Sequence, residues 1–425
     1  MRSTDYKLPE SIGVVTQQNH VENQFRHQKY NPGNTMMIKC LTGVNFVDAK
    51  NSWMSFTLNT KTATGTTPTT GQLITNSGSI LNIFRNVNVY DSTGKELSRC
   101  DNKNLLQKLI DQWTRSRDWF DTTGKMLQYP NTQYAVSLPL PYVTATTVTH
   151  TFNSTTTSLD GYSGSNTTRS IIVPMSMISP IFDQDKLLPP QLINQLRIEI
   201  VLEQVQKAFR AVVQTPATDH ATYEIANPII HWNCLELDTK LAQSIMSQPI
   251  SLIHREFHHH QLDATSSANY TINKSVSKAT RSITMTRETA NINSAILDSI
   301  GSEPMIFASV QASLGSNRYP PTPQTNMITG MYVSNLYAFD MLRSGNTPSV
   351  DPRDFTTTGA NGVIETTKCP VVWALRFNKA GVTVNFTREL IYDIRFTNST
   401  ARRVDTWLEH KRAITIDGSN VSVKD

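Results

Sequence analysis

The chain has few cysteines and few charged side chains for its length of 425 residues. Its cysteines are Cys40, Cys100, Cys234 and Cys369. They are far apart and form no C-x-x-C pair, so the sequence favours free thiols in a reducing compartment over disulfides. Charged residues make up 17% of the chain, whereas Thr, Ser and Asn are abundant. This bias favours strands and long polar loops over helical bundles.

The chain also lacks long apolar runs and a terminal block of charge. No stretch approaches the ~20 apolar residues of a membrane helix, and the N-terminus carries no apolar signal segment. We therefore expect a soluble protein that is synthesised in the cytosol. The formal net charge of +5 is spread along the chain, so no basic arm for packaging nucleic acid is predicted.

Motifs for catalysis and cofactor binding are missing as well. Gly94-Lys95 and Gly124-Lys125 lack the remaining residues of a phosphate-binding loop, and Gly161–Ser165 does not match the G-x-S-x-G nucleophile motif. Asp183 and Asp185 have the side chains to hold a cation, but we interpret them as a solvated turn. The sequence predicts no catalytic residue, no cofactor, no metal ligand and no enzymatic activity.

One segment, His254 to His260, is rich in histidine. On a strand, His254, Glu256, His258 and His260 would share one face. Such a set can bind zinc or respond to mild acid, but the spacing matches no H-E-x-x-H pattern. We favour a solvated or subunit-facing polar strand over a pH-sensitive contact, and both over a metal site.

Alternation of apolar and polar residues is the main pattern of the first half. Leu196–Leu202 has an apolar residue at every second position, Ile229–Leu237 is a second extended run, and a helix capped by Asp238 or Thr239 follows at Leu241–Met246. Further strands are predicted at Met36–Phe46, Ser52–Leu58 and Leu81–Tyr90, the last turning at Asp91–Gly94 into a hairpin. Asn102 is the predicted cap of a helix with an apolar stripe formed by Leu105, Leu106, Leu109, Ile110 and Trp113.

The second half repeats this alternation. Extended runs are predicted at Ile250–His260, Asn269–Val276, Arg281–Thr286, Met305–Val310, Met327–Tyr332, Val371–Phe377, Val382–Phe386, Leu390–Phe396, Trp407–Ile416 and Val421–Val423. Short helices are predicted at Ile292–Ile300 and Asn335–Leu342, and Asp417-Gly418 marks a hairpin turn. Many short strands with few helices indicate an all-β protein of two tandem β-sandwiches.

Several segments together resemble the double jelly-roll major capsid proteins of Polinton-like viruses, adintoviruses and virophages. Ile83–Val89 fits the pattern I-x-R-x-V-x-V and is followed by a helix that begins near Asn104–Leu106. Leu187–Ile200 with Tyr223–Pro228 resembles the end of the family's first jelly roll, and Trp407–Ile416 resembles its final strand pair. These segments occur in the family's order.

The resemblance implies two tandem jelly-roll β-sandwiches (a double jelly roll) with short helical excursions. The expected division is an N-terminal arm at 1–33, a first jelly roll at 34–240 and a second at 241–425. The implied function is that of a major capsid protein in the virion, forming homotrimeric, pseudo-hexameric capsomers that tile an icosahedral shell around a DNA genome. Implied partners are neighbouring capsomers and the penton and minor capsid proteins, with little or no direct nucleic-acid binding.

Two other functions are compatible with the sequence. One is a single jelly-roll capsid protein of a small virus with a projection domain, which a basic N-terminal arm would favour. The other is a two-domain carbohydrate-binding or adhesive β-protein, for which a secretion signal and exposed aromatic clusters are typical.

Overall fold

Among the residues that the structure describes, each half of the chain contains two main antiparallel sheets, each built on four principal strands, and one two-stranded sheet. The computed structural model describes residues 15–61, 73–75, 79–127, 168–194, 196–211, 222–273, 276–292, 307–325, 329–341, 348, 357–358, 364–366, 372–377, 384–386, 389–418 and 420–425. Among these residues, no helix is long and apolar enough to cross a membrane.

The first half forms a jelly roll. Its principal strands are β1 (Val15–Gln24), β2 (Thr35–Lys39), β3 (Phe46–Lys61), β4 (Phe84–Tyr90), β5 (Glu96–Cys100), β6 (Thr168–Pro174), β7 (Arg197–Leu202) and β8 (Thr222–Leu237). One sheet has the order β1-β8-β3-β6 and the other β2-β7-β4-β5, and all neighbours are antiparallel. Most strands that follow each other in sequence lie in opposite sheets, as jelly-roll topology requires.

The second half repeats this topology strand for strand. Its principal strands are β9 (Ile250–Ala264), β10 (Ser267–Ile272), β11 (Val276–Glu288), β12 (Phe307–Leu314), β13 (Asn317–Gln324), β14 (Val372–Arg376), β15 (Leu390–Phe396) and β16 (Arg402–Asp417). The sheet orders are β9-β16-β11-β14 and β10-β15-β12-β13, again antiparallel. Two jelly rolls therefore follow each other in one chain.

Short elements complete the structure. The longer helices are α1 (Lys103–Thr114), α2 (Thr239–Met246) and α3 (Thr329–Ala338). Short helical turns lie at Ile80–Ile83, Arg117–Asp121, Thr123–Met126, Met175–Ile178, Pro180–Phe182, Pro190–Ile193, Val205–Ala208 and Thr289–Asn291. Short strands lie at Lys29–Tyr30, Leu73–Thr75, Phe209–Ala211, Thr357–Thr358, Ile364–Thr366, Val384–Phe386 and Asn420–Lys424.

Local signals predicted several of these elements correctly. The hairpin of β4 and β5 turns where Asp91 Oδ1 accepts hydrogen bonds from the backbone N–H groups of Thr93 (2.8 Å) and Lys95 (2.9 Å). Gly94 in this turn has a φ of +86°, a conformation that glycine adopts without a steric cost. Asp238 caps α2, accepting hydrogen bonds from the N–H groups of the first helical turn.

Of the local predictions, one is wrong and one lies outside the described residues. Within the N-terminal arm expected at residues 1–33, Val15–Gln24 is a strand that pairs with β8 along the edge of the first sheet. The predicted strand at Met327–Tyr332 is wrong, because α3 includes residues 329–332. The preference of these residues for a strand is outweighed by the packing of the helix on β14. There, Asn335 donates a hydrogen bond to the carbonyl of Val372 and accepts one from the N–H of Ala374. The predicted helix at Ile292–Ile300 lies almost entirely outside the described residues.

Each sandwich has an apolar core, and a third cluster contains residues of both sandwiches. The core of the first sandwich also includes Ile250, Leu252, Ile414 and Ile416 from β9 and β16. In the first core, Phe56 and Phe84 from opposite sheets pack edge to face with ring centroids 6.0 Å apart. In the second core, Tyr270 and Tyr392 stack at 4.9 Å. The third cluster joins the two sandwiches.

Candidate functional site

The contact between the two jelly rolls, which we call the junction, centres on α1. The apolar stripe of α1 is buried as predicted, but its partner is the second jelly roll rather than only the neighbouring sheet. Residues of α1 that lie in this cluster are Leu105, Leu106, Leu109 and Trp113. They pack with side chains of β9, β11, β14 and β16, including Phe257, Ile283, Met285, Val372 and Trp407. One helix of the first half thus covers a sheet of the second half.

Aromatic stacking extends this contact to α3. The rings of Trp113 and Phe339 are nearly parallel, with centroids 5.9 Å apart, and Tyr332 lies 5.6 Å from Trp113 on a tilted plane. Trp113 is fully buried. Buried aromatic pairs of this kind stabilise an interface beyond the area they bury.

Hydrogen bonds from side chains to the backbone also cross the junction. The backbone N–H of Arg99 donates to Glu256 Oε1 at 2.6 Å, and Trp407 Nε1 donates to the carbonyl of Asp101 at 3.1 Å. Arg412 Nη1 donates to the carbonyl of Leu97 at 3.3 Å. These bonds connect β9 and β16 to the end of β5 and the start of α1, so they fix one sandwich against the other.

The polar strand predicted at His254 to His260 is not solvated at its first residues. His254 and Glu256 are buried, and His254 Nε2 lies 3.1 Å from Glu256 Oε2. His260 stacks on Tyr270 at 5.2 Å. The solvated alternative does not hold for His254 and Glu256, because β9 lies against the first jelly roll, which covers side chains that sequence polarity alone assigns to solvent.

His259 belongs to a buried charge cluster with Asp405 and Arg287. Its Nε2 atom lies 2.9 Å from Asp405 Oδ1, while Arg287 Nη2 donates to Asp405 Oδ2 at 2.7 Å. Burial raises the pKa of Asp405, but the charge of Arg287 and the contact with His259 lower it by more than burial raises it. The pKa of Asp405 therefore lies below its usual value. Asn102, the predicted helix cap, makes no capping bond; its Nδ2 atom lies 3.3 Å from His259 Nε2 instead.

A second buried pair, Glu409 and Arg281, lies on the same sheet. Arg281 Nε donates to Glu409 Oε2 at 2.5 Å, and Thr280 Oγ1 donates to Glu409 Oε1 at 2.9 Å. Burial raises the pKa of Glu409, but Arg281, Arg255 and the hydrogen bond from Thr280 together outweigh this effect, so the pKa lies below the usual value. Strand β16 is buried on both faces over residues 404–410, so its acidic side chains depend on these arginines.

Asp183 and Asp185, the other predicted candidates, are paired with basic side chains. Arg255 Nη2 donates to Asp183 Oδ2 at 2.9 Å, which links β9 to the first jelly roll. Lys50 Nζ donates to Asp185 Oδ1 at 2.8 Å. Both pairs are partly exposed to solvent, so they contribute little to stability.

A cluster that the sequence analysis did not identify lies on the outer face of the β1-β8-β3-β6 sheet. His20 and Glu22 of β1 meet His231 of β8, and one ligand atom from each lies within 4.8 Å of the other two. Burial lowers the pKa of His231, which favours its neutral form. The partners are about 210 residues apart in sequence, so only the β1–β8 register reveals them. The nearest local signal is the alternation His20-Val21-Glu22.

No protein-family model and no curated protein matches the chain. Solved structures of viral capsids do match. The PBCV-1 virus capsid has a TM-score of 0.62 at 10% identity over 99% of both chains. A protein of the Sputnik virophage particle has a TM-score of 0.62 at 10% identity over 99% of this chain and 91% of its own. The mavirus major capsid protein has a TM-score of 0.57 at 10% identity, covering 99% and 92% respectively. The chain therefore has the double jelly-roll fold of these proteins.

Proposed function

We propose that this protein is a viral major capsid protein. The observation that carries the proposal is the full-length structural likeness to capsid proteins, which extends over both jelly rolls and the junction between them. A protein with one jelly roll and an unrelated projection would match such structures over only half of its length. The repeated strand order in the two halves argues against that alternative.

Three copies of the chain form the proposed capsomer. Two similar jelly rolls in each of three chains give six similar corners, so a trimer can occupy sixfold positions of an icosahedral lattice. The junction supports this role because buried aromatic contacts and backbone hydrogen bonds hold the two jelly rolls in one relative orientation. Weak lateral contacts, repeated many times, would then close the shell by avidity.

The proposed setting is the capsid of a virion that encloses a DNA genome, after synthesis in the host cytosol. Its partners would be further copies of the chain together with penton and minor capsid proteins. We place the division between the jelly rolls near residue 240, where α2 separates β8 from β9. The role is structural and not enzymatic, and the spread of the +5 net charge along the chain, without a basic arm, supports little direct contact with nucleic acid.

The test is the mass and outline of the purified protein, measured by light scattering and negative-stain microscopy. We expect a species of three chains with a hexagonal outline. A stable monomer, a dimer or a fivefold assembly would contradict the proposal. A glycan-binding screen on the same sample checks the adhesive alternative, and specific glycan binding by a monomer would favour that function instead.

A further inference from the structure

The cluster of His20, Glu22 and His231 has a geometry set by the backbone. Glu22 lies directly opposite His231 in the β1–β8 register, and His20 lies two residues earlier on β1, so all three share one face. The neighbours Ile230 and Trp232 point into the core and are fully buried, whereas His231 is only half-buried. The three side chains therefore converge on the outer face of the sheet.

The three ligand atoms lie at distances suited to one small ion. His20 Nε2 is 3.0 Å from His231 Nδ1, His231 Nδ1 is 3.4 Å from Glu22 Oε1, and His20 Nε2 is 3.8 Å from Glu22 Oε1. A circle through three points with these separations has a radius of about 2.0 Å, which equals the Zn–N and Zn–O bond lengths of protein zinc sites. An ion can bind all three atoms with only small side-chain movements.

Neighbouring side chains hold the imidazoles in place. Ser55 Oγ lies 2.7 Å from His231 Nε2, so a proton on Nε2 can be donated to Ser55 while Nδ1 directs its lone pair into the cluster. Trp53 stacks on both rings, with centroids 5.3 Å from His20 and 5.4 Å from His231. Ligating histidines in metal sites are commonly oriented by such an outer hydrogen bond.

We propose that His20, Glu22 and His231 bind one divalent transition-metal ion of the zinc class. Two imidazoles and one carboxylate suit such an ion, whereas calcium and magnesium prefer oxygen ligands. Three protein ligands leave one coordination position open on the outer face. The ion would join the edge strand β1 to β8, so binding would stabilise the pairing of β1. This proposal does not depend on the proposed function.

Binding is tested on the full-length protein after treatment with a chelator. Zn²⁺ is titrated by calorimetry, and Co²⁺ is followed by its visible absorption, which reports coordination geometry. We expect one ion per chain. Because changes to outer hydrogen-bond partners already weaken metal sites about 10- to 100-fold, His20→Ala and His231→Ala should lower affinity by at least about 100-fold and Ser55→Ala by about tenfold.

The matched control is His27→Ala, which removes an exposed histidine after β1 that lies outside the cluster. It should bind the ion like the wild type. Hydrogen exchange gives a second readout, since Zn²⁺ should slow exchange of Val15–Gln24 in the wild type but not in His20→Ala. His20 is exposed at the sheet edge, so this variant is expected to fold; circular dichroism checks that it does. Absence of binding, or equal binding by the wild type and both ligand variants, would overturn the proposal.

Discussion

The carboxylate of Glu256 in β9 accepts a 2.6 Å hydrogen bond from the backbone N–H of Arg99 in β5, so a buried acidic side chain of one jelly roll holds the main chain of the other. The same carboxylate lies 3.1 Å from His254 Nε2 and 3.9 Å from Arg412 Nη1. Because the group is buried, removing the carboxylate leaves the N–H of Arg99 without an acceptor, and water cannot replace the lost bond.

Replacing Glu256 with Ala should therefore destabilise the protein by about 1–3 kcal/mol, the cost of leaving the buried N–H of Arg99 without its hydrogen-bond acceptor. Urea unfolding at neutral pH, followed by tryptophan fluorescence, measures the loss. The control is Arg255→Ala at the adjacent position, where a half-exposed pair with Asp183 contributes about 0–1 kcal/mol. Similar losses in the two variants would contradict the role assigned to Glu256.

Trp113 is expected to dominate the apolar part of the junction. It is fully buried and stacked on Phe339, so Trp113→Ala should cost about 3–5 kcal/mol through lost contacts and a cavity. Trp119→Ala is the matched control, because that ring is only half-buried. The urea concentration at the unfolding midpoint is measured for both variants and for the wild type. If Trp119→Ala lowered the free energy of unfolding as much as Trp113→Ala does, the junction would contribute little to stability.

Sequence periodicity was sufficient for the strands and hairpins whose signals are local. The alternation of Leu196–Leu202 gave β7, Asp91–Gly94 gave the β4–β5 turn, and Asp417-Gly418 gave the turn after β16. In each case the residues that specify the element lie within the element itself. The apolar stripe of α1 was equally visible, but periodicity identifies an apolar face without identifying what covers it.

The polar contacts could not be predicted because their partners are distant in sequence. Glu256 meets Arg99 across 157 residues, and Asp405 meets Arg287 across 118. Hydrophilic side chains on a strand normally indicate that this face is exposed to solvent. His254 and Glu256 are buried instead, because β9 contacts the first jelly roll. The same applies to His20 and His231, which only the β1–β8 register brings together.

The buried cysteines should be unreactive in the folded protein. Cys40, Cys100 and Cys234 are free and buried; Cys369 lies outside the described residues. Burial raises the pKa of Cys100 to about 12 and that of Cys234 to about 11, and it raises the pKa of Cys40 further, so thiolate is scarce at pH 8.

Labelling with a thiol reagent at pH 8, followed by peptide mass spectrometry, tests this expectation. The three cysteines should be unlabelled in the native protein and fully labelled in urea, so the denatured sample is the control. Rapid labelling of any of the three in the native state would contradict the burial described above.

Stability should fall in acid because of Asp405 and Glu409. Both carboxyls have folded-state pKa values below their ordinary values, so the unfolded chain takes up their protons first as the pH falls. The stability they contribute is complete above the unfolded-state pKa values of about 4 and is lost as the pH falls through the lower, folded-state values. The free energy of unfolding, measured in urea from pH 7 to pH 2.5, should therefore decline steeply below about pH 4.

Asp405→Asn should lower stability at neutral pH, because Arg287 loses its charged partner, and should make the acid decline shallower, because one titrating group is removed. The matched control is Asp263→Asn, which removes an exposed carboxylate paired with Arg403 at the surface. This control should follow the wild-type pH dependence, since exposed pairs contribute little. An Asp405→Asn variant with the wild-type slope would mean that the buried ion pair does not link folding to proton uptake.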